Sequence, residues 1–204
     1  TQQPGKQGPK PRKLLGKQLA AEKPVKADLV LGVPDSSLSA AIGYAEALQI
    51  PYEMGLVKNR YVGRTFIRPD SETRTRDVKL KLSVVQKVVE GKDVVMVDDS
   101  IIRGTTSQRI VRLLRDAGVR SVHVRICSPP VIYPCFYGID ISSRDELIVA
   151  QKTIEQIRLF IGADSLEFLS VDGLIKAING SQEPPRLCLA CFSGQYPTPI
   201  NPQG

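Results

Sequence analysis

Tryptophan is absent from this sequence, histidine occurs once, and no apolar run approaches the roughly 18 to 20 residues a membrane-spanning helix requires. The missing tryptophan excludes nothing. The lone His123 falls in a strand-like stretch, 120–126, with no orienting partner nearby in sequence, so it reads as structural rather than catalytic. The N-terminus lacks the apolar core of a signal peptide, which points to a cytoplasmic protein, with a plastid location after removal of a targeting peptide left open. Cysteine is scarce too. The four thiols lie late in the chain, and Cys188 and Cys191 have a C-x-x-C spacing, used for metal or cluster ligation and for redox pairs rather than for a secreted disulfide framework.

What the sequence does hold is ordinary globular material: 204 residues with 42% hydrophobic side chains, enough for one sizeable domain with a small appendage. Lys and Arg outnumber Asp and Glu, and the net charge of +7 calls for an anionic partner: nucleic acid, an acidic membrane surface or a phosphorylated small molecule.

Residues 1–13 combine Gly, Pro, Gln and Lys with almost no apolar side chain, and predict a disordered leader. A short helix is expected over 14–21 and a buried strand over 27–33, closed by Pro34, Asp35 and Ser36. A helix over 39–48, a strand over 50–57, a long Arg-rich aperiodic loop over 59–81 and a helix over 82–90 follow. Then come a strongly apolar strand at 93–97, a basic amphipathic helix over 105–117 ended by Gly118, and a strand at 120–126. This alternation predicts a doubly wound α/β domain with a mainly parallel sheet, whose ligands bind beyond the carboxyl ends of the strands. The core is placed at 14–150, with helices at 144–150 and 153–162. A helical extension and cysteine-bearing tail, 151–204, contains a short segment at 166–169 and a helix at 171–178.

The stretch 94–107, VVMVDDSIIRGTTS, carries the chemistry. Asp98 and Asp99 stand where a buried strand stops, and Gly104, Thr105, Thr106 and Ser107 open the next helix. Paired carboxylates accept hydrogen bonds from sugar hydroxyls or hold Mg²⁺, while a helix start offers free N–H groups and hydroxyls to a phosphate. A phosphorylated sugar satisfies both. A lone pair of aspartates more often merely ends a strand, but here strand, twin acids, glycine turn and hydroxyl-rich helix start agree.

The stretch resembles the phosphoribosyl-diphosphate signature of type I phosphoribosyltransferases. Its flanks, PDS at 34–36, AAIGYA at 40–45, NRYVGRTFI at 59–67, VKLKL at 78–82, SPP at 128–130 and YPCFYGID at 133–140, resemble in order those of the glutamine phosphoribosyldiphosphate amidotransferase family (the amidophosphoribosyltransferases). The resemblance implies the type I phosphoribosyltransferase fold. It implies that Asp98 and Asp99 bind the ribose hydroxyls and Mg²⁺, that Ser100, Arg103 and Gly104 to Ser107 surround the 5′-phosphate, and that Pro34, Asp35 and Ser36 form the pyrophosphate loop with Ser36 near the metal. The basic stretch becomes a lid; Arg60, Arg64, Arg68, Arg74, Arg76, Lys79 and Lys81 are its candidate cations, with Arg64 and Lys81 the foremost. Cys135, Cys188 and Cys191 fall where iron–sulfur members place three of four thiolate ligands of a [4Fe–4S] cluster.

The implied reaction is displacement of pyrophosphate from C1 of phosphoribosyl diphosphate by ammonia, giving 5-phosphoribosylamine in de novo purine synthesis. Purine nucleotides as inhibitors and a homo-oligomeric assembly also follow from the resemblance. The family's N-terminal glutaminase domain has no counterpart in the sequence, so this chain is expected to use free ammonia or to be an inactive fragment. A competing reading from another class is a regulatory protein that senses phosphoribosyl diphosphate and binds nucleic acid. The concentration of charge in 59–81, away from any nucleic-acid-binding motif, disfavours it.

Overall fold

The computed structural model of the chain describes residues 9–58, 82–139, 141, 143–179 and 187–200. In chain order the elements are α1 (Pro9–Glu22), β1 (Leu29–Gly32), α2 (Leu38–Leu48), β2 (Leu56–Lys58), β3 (Leu82–Val84), α3 (Gln86–Val89), β4 (Asp93–Asp98) and α4 (Thr105–Asp116). There follow β5 (Ser121–Ile126), a 3₁₀ turn (Arg144–Glu146), α5 (Ile148–Gln151), α6 (Ile154–Ile161), β6 (Ser165–Phe168), α7 (Val171–Asn179) and α8 (Ala190–Ser193).

Four strands form one parallel sheet in the order β1-β4-β5-β6, with Leu29 opposite Val94, Asp93 opposite Ser121 and His123 opposite Ser165. Alternate residues sort the core onto two faces. Leu31, Met96, Val124 and Phe168 point one way and pack against Ile110 and Leu114 of α4 and Ile157 and Ile161 of α6. Val30, Val95 and Val97 point the other way, onto Leu19 of α1 and Ala40, Ala41 and Tyr44 of α2. Covering helices on both faces explain why these strands read as continuous apolar runs. The predicted α/β class with a parallel sheet is what the chain adopts.

Strand β5 carries polar residues on the second face. Arg125 is only 3% exposed; its guanidinium donates to the carbonyls of Lys23 and Val124 and to Ser165 Oγ at 2.9–3.0 Å. His123 lies beside it, Nδ1 2.9 Å from Ser165 Oγ and Nε2 3.2 Å from Ser121 Oγ. Burial, then the Arg125 charge, lowers its pKa. It braces the sheet, as its position in the sequence suggested.

Several boundaries differ from the sequence reading. Helix α1 begins at Pro9 rather than residue 14, so residues 9–13 of the polar leader are helical. Proline suits a first helical turn, and Lys13 and Lys17 pair with Glu46 of α2 at 2.5 and 3.3 Å. Residues 50–57 are not one strand. Pro51 and Glu53 flank β1 through bonds to Val30, but Tyr52 makes a single bridge and the chain then turns to pair β2 antiparallel with β3. Pro51 has no N–H with which to extend the ladder. The helix expected over 82–90 is one turn, α3, because Leu82–Val84 is taken by that hairpin. The helix over 144–150 splits into the 3₁₀ turn and α5 at Leu147, which is buried against Val131 and Ile141.

Candidate active site

The carboxyl ends of β1 and β4 and the start of α4 meet around a cleft of about 790 Å³. Ser36, Asp98, Asp99, Ser100, Arg103 and Gly104 to Ser107 all line it. Sequence-predicted residues from two segments, 36 and 98–107, are therefore brought together by parallel pairing of β1 with β4. Pro34 and Asp35 lie one step back in the same loop. Arg60, Arg64, Arg68, Arg74, Arg76, Lys79 and Lys81 lie outside the described residues.

The loop after β1 is pinned from several sides. Val33 N donates to Val97 O at 3.0 Å, Arg12 of α1 donates to the Ser36 carbonyl at 3.3 Å, and Lys58 Nζ lies 2.9 Å from Asp35 Oδ2. The Pro34–Asp35 peptide bond is cis. At the other wall Asp98 is 6% exposed, and its Oδ1 accepts from Ser37 Oγ at 3.1 Å and from Asp99 N at 2.8 Å. Burial foremost, and then the neighbouring Asp99 charge, pushes the Asp98 carboxyl up to about 7. Asp99 is exposed to the cleft and accepts from Ser100 Oγ at 3.4 Å.

Helix α4 begins with Gly104 in the left-handed region (φ +75°), and no N-cap side chain bonds to its first-turn N–H groups, a geometry able to receive an anion. A Cβ on Gly104 would sit 2.9 Å from Ile148 Cδ1 and 3.2 Å from Phe160 Cε1. Gly104→Ala is expected to cost about 1–2 kcal/mol, through positive φ and the clash with Ile148. Chemical denaturation checks it, and unchanged stability would show that the loop tolerates a side chain. Arg103, predicted at the phosphate, pairs with Glu146 at the cleft rim.

Paired carboxylates and a serine hydroxyl are hard oxygen donors of the kind Mg²⁺ takes. Among the described residues no group of three or more His, Cys, Asp or Glu could by itself hold a metal ion. The same finding bears on the cysteines, all four of which are free. Cys135 and Cys191 line the cleft and Cys188 is exposed, but the three thiols form no metal-holding group among the described residues. Instead this region is tied by backbone: Ile132 N and Tyr133 N donate to Cys191 O, and Cys135 N to Ile141 O, all at 3.0 Å. Tyr196 packs on Phe136 at 5.3 Å and donates to Pro134 O at 2.8 Å. Cys127 is buried, which pushes its thiol strongly up.

The sequence reading missed Arg12, Ser37, Lys58 and Ser128. Arg12 sat inside an apparent leader. Ser37 falls between the loop 34–36 and the helix expected over 39–48. Lys58 preceded the basic loop, and Ser128 entered only within the flank SPP at 128–130, which says nothing of its buried Oγ, without a hydrogen-bond partner among the described residues.

Comparison with known proteins agrees with this geometry. The chain is 62% identical over 191 residues to an amidophosphoribosyltransferase of Bacillus subtilis (strain 168), covering 93% of this chain and 40% of that protein. It is 58% identical over 188 residues to one of Staphylococcus aureus (strain MRSA252), covering 91% and 38%. The solved glutamine phosphoribosylpyrophosphate amidotransferase of B. subtilis, complexed with ADP and GMP, superposes with a TM-score of 0.87 at 60% identity over 96% of this chain and 43% of that one. The chain thus spans about two fifths of the length of these relatives. Residues 12–128, which hold β1, the acid pair and the whole of α4, match the phosphoribosyl transferase domain; the chain belongs to the phosphoribosyl transferase family.

Proposed function

We propose that the chain is the phosphoribosyl-diphosphate-binding transferase domain of an amidophosphoribosyltransferase, in which ammonia displaces pyrophosphate from C1 to give 5-phosphoribosylamine for purine nucleotide synthesis. The observation that carries this is the cleft shared by the acid pair 98–99, Ser36 of the loop 34–36 and the α4 N-terminus, in a chain 62% identical to such an enzyme. In this reading Asp98 and Asp99 hold the ribose hydroxyls, the N–H groups of Thr105, Thr106 and Ser107 hold the 5′-phosphate, and the loop 34–36 receives the pyrophosphate. Ser36, Asp98 and Asp99 would hold Mg²⁺ together with the substrate, and the ion would supply positive charge at the leaving group. Arg64 and Lys81 are the lid cations of this proposal. No side-chain nucleophile is needed: positioning and charge stabilisation lower the barrier.

Ammonia derived from glutamine elsewhere, purine nucleotides as inhibitors and a homo-oligomer belong to the same reading; ADP and GMP occupy the solved B. subtilis relative. No step runs through an iron–sulfur cluster. The nucleic-acid-binding alternative gains no support from the comparisons.

The test is pyrophosphate release by the chain with Mg²⁺, phosphoribosyl diphosphate and ammonium salts. Asp99→Asn, which keeps the shape of an exposed side chain but removes its charge, is expected to lower kcat/KM by roughly 10²-fold or more. A folded parent chain that neither binds phosphoribosyl diphosphate nor releases pyrophosphate would overturn the proposal.

A further inference from the structure

Ser37 is the N-cap residue of α2, the position at which a serine hydroxyl ordinarily accepts from the helix N–H groups. Here it makes no cap bond. Its side chain instead reaches a residue 61 positions away and donates to Asp98 Oδ1 at 3.1 Å. Ser37 is 1% exposed and Asp98 6%, so water does not compete for the bond. Ser37 has φ −92° and ψ −5°, a helical rather than extended backbone, so its hydroxyl is not aimed at the first-turn N–H groups of α2 and is available to Asp98. The bond also spans two functional segments: Ser37 N donates to Val33 O across the loop 34–36, while Asp98 Oδ1 accepts from Asp99 N as well. Loop and acid pair thus share one buried junction.

We infer that Ser37 is a positioning residue whose hydroxyl couples the pyrophosphate loop to the acid pair, so that filling one end of the cleft favours filling the other. This rests on the proposed function of the cleft. A ligand on the loop 34–36 fixes the start of α2, Ser37 thereby fixes the Asp98 carboxyl, and Asp98 is then set for the sugar hydroxyls before they arrive. Ser37 itself touches no substrate in this scheme; it acts through Asp98.

Two fragments of the substrate test it, both in the presence of a chelator so that no metal bridges them: pyrophosphate for the loop and ribose 5-phosphate for the acid pair and the α4 N-terminus. In the parent chain, calorimetric titration is expected to show that each tightens the other by about tenfold, reciprocally. In Ser37→Ala the factor is expected to fall to within about twofold of unity, while each fragment alone binds within about threefold of its parent affinity. Ser37→Thr, which keeps the hydroxyl, is expected to retain the coupling. A purely structural hydroxyl would lower the melting temperature of Ser37→Ala and weaken both fragments equally with the coupling intact; that result overturns the inference. Loss of coupling in Ser37→Thr equal to that in Ser37→Ala also counts against it. A parent chain that binds both fragments independently sinks the coupling and leaves the cleft's assignment standing, whereas a parent chain that binds neither sinks the assignment and with it this inference.

Discussion

Asp98→Asn is expected to make the metal-free, ligand-free chain more stable at pH 8 and to destroy its function at the same stroke. The buried Asp98 carboxyl is pushed up to about 7 by loss of solvent and by the Asp99 charge. An unfolded chain holds such a group at about 3.9. A carboxyl whose folded pKa is raised contributes stability that is fully present below the unfolded value and is lost as pH rises through the folded one. The parent chain therefore loses stability between about pH 4 and pH 7 on account of this residue. Asparagine carries no charge to desolvate and keeps the oxygen that accepts from Ser37 and Asp99. At pH 8 the variant gains about 2–4 kcal/mol, or roughly 5–10 °C in melting temperature, a difference that disappears by about pH 4. Mg²⁺-dependent affinity for phosphoribosyl diphosphate should meanwhile fall by about 10²-fold, since a charged, hydrogen-bonding carboxylate is lost from the centre of the cleft. Thermal melts across pH in the presence of a chelator, beside titration with ligand, decide the matter. A variant that melts below its parent at pH 8 would show that the carboxyl is satisfied as it stands.

The second large effect is expected where α1 crosses α2. A Cβ on Gly16 would lie 1.8 Å from the carbonyl oxygen of Ala40, and one on Gly43 would lie 2.1 Å from that of Lys13. Each helix presses its glycine against the other's backbone. Backbone atoms cannot swing aside as a side-chain tip can, so alanine at either site forces the helices apart. The separation opens the layer of Leu19, Ala20, Ala40 and Tyr44 that covers one face of the sheet. Gly16→Ala and Gly43→Ala are each expected to cost at least about 3 kcal/mol, although in a helix with room alanine would be the more favourable residue by about 1 kcal/mol. Combining them should cost less than the sum, because the first substitution already relieves the crossing for the second. Denaturant unfolding measures all three variants, and a neutral result for either single change would mean that the helices do not meet so closely. Function should suffer with stability, since α1 supplies Arg12 to the Ser36 carbonyl and α2 begins just after the loop 34–36 proposed to receive the pyrophosphate.

The strongest stretches of the sequence reading share a physical cause. β4 has four successive buried apolar residues, 94–97, because helices cover both faces of the sheet, and the run ends where carboxylates must meet solvent. The start of α4 was legible because glycine and hydroxyl residues have few local alternatives there. The reading failed where local preference lost to a distant partner. Residues 82–84 have the apolar content of a helix turn but pair with β2, a segment 24 or more positions earlier. Residues 9–13 have the composition of a leader but pack against α2 through Lys13, a contact that composition cannot show.

Sequence alone determined that this chain folds as an α/β domain with its acid pair at a strand end, because strand burial, turn chemistry and helix starts are properties of neighbouring residues. The twin aspartates, the glycine turn and the order of the flanking words required nothing beyond the chain itself. Only the tertiary structure decided which of those residues act together. Parallel pairing of β1 with β4 places residue 36 beside residues 98–107, and the close crossing of α1 and α2 makes Gly16 and Gly43 indispensable to packing. Ser37 merely stands between two expected elements in the sequence, and the fold alone sets it 3.1 Å from Asp98. Hydrogen bonds and burial between residues 61 apart are settled by packing of the whole domain, and no local pattern encodes them.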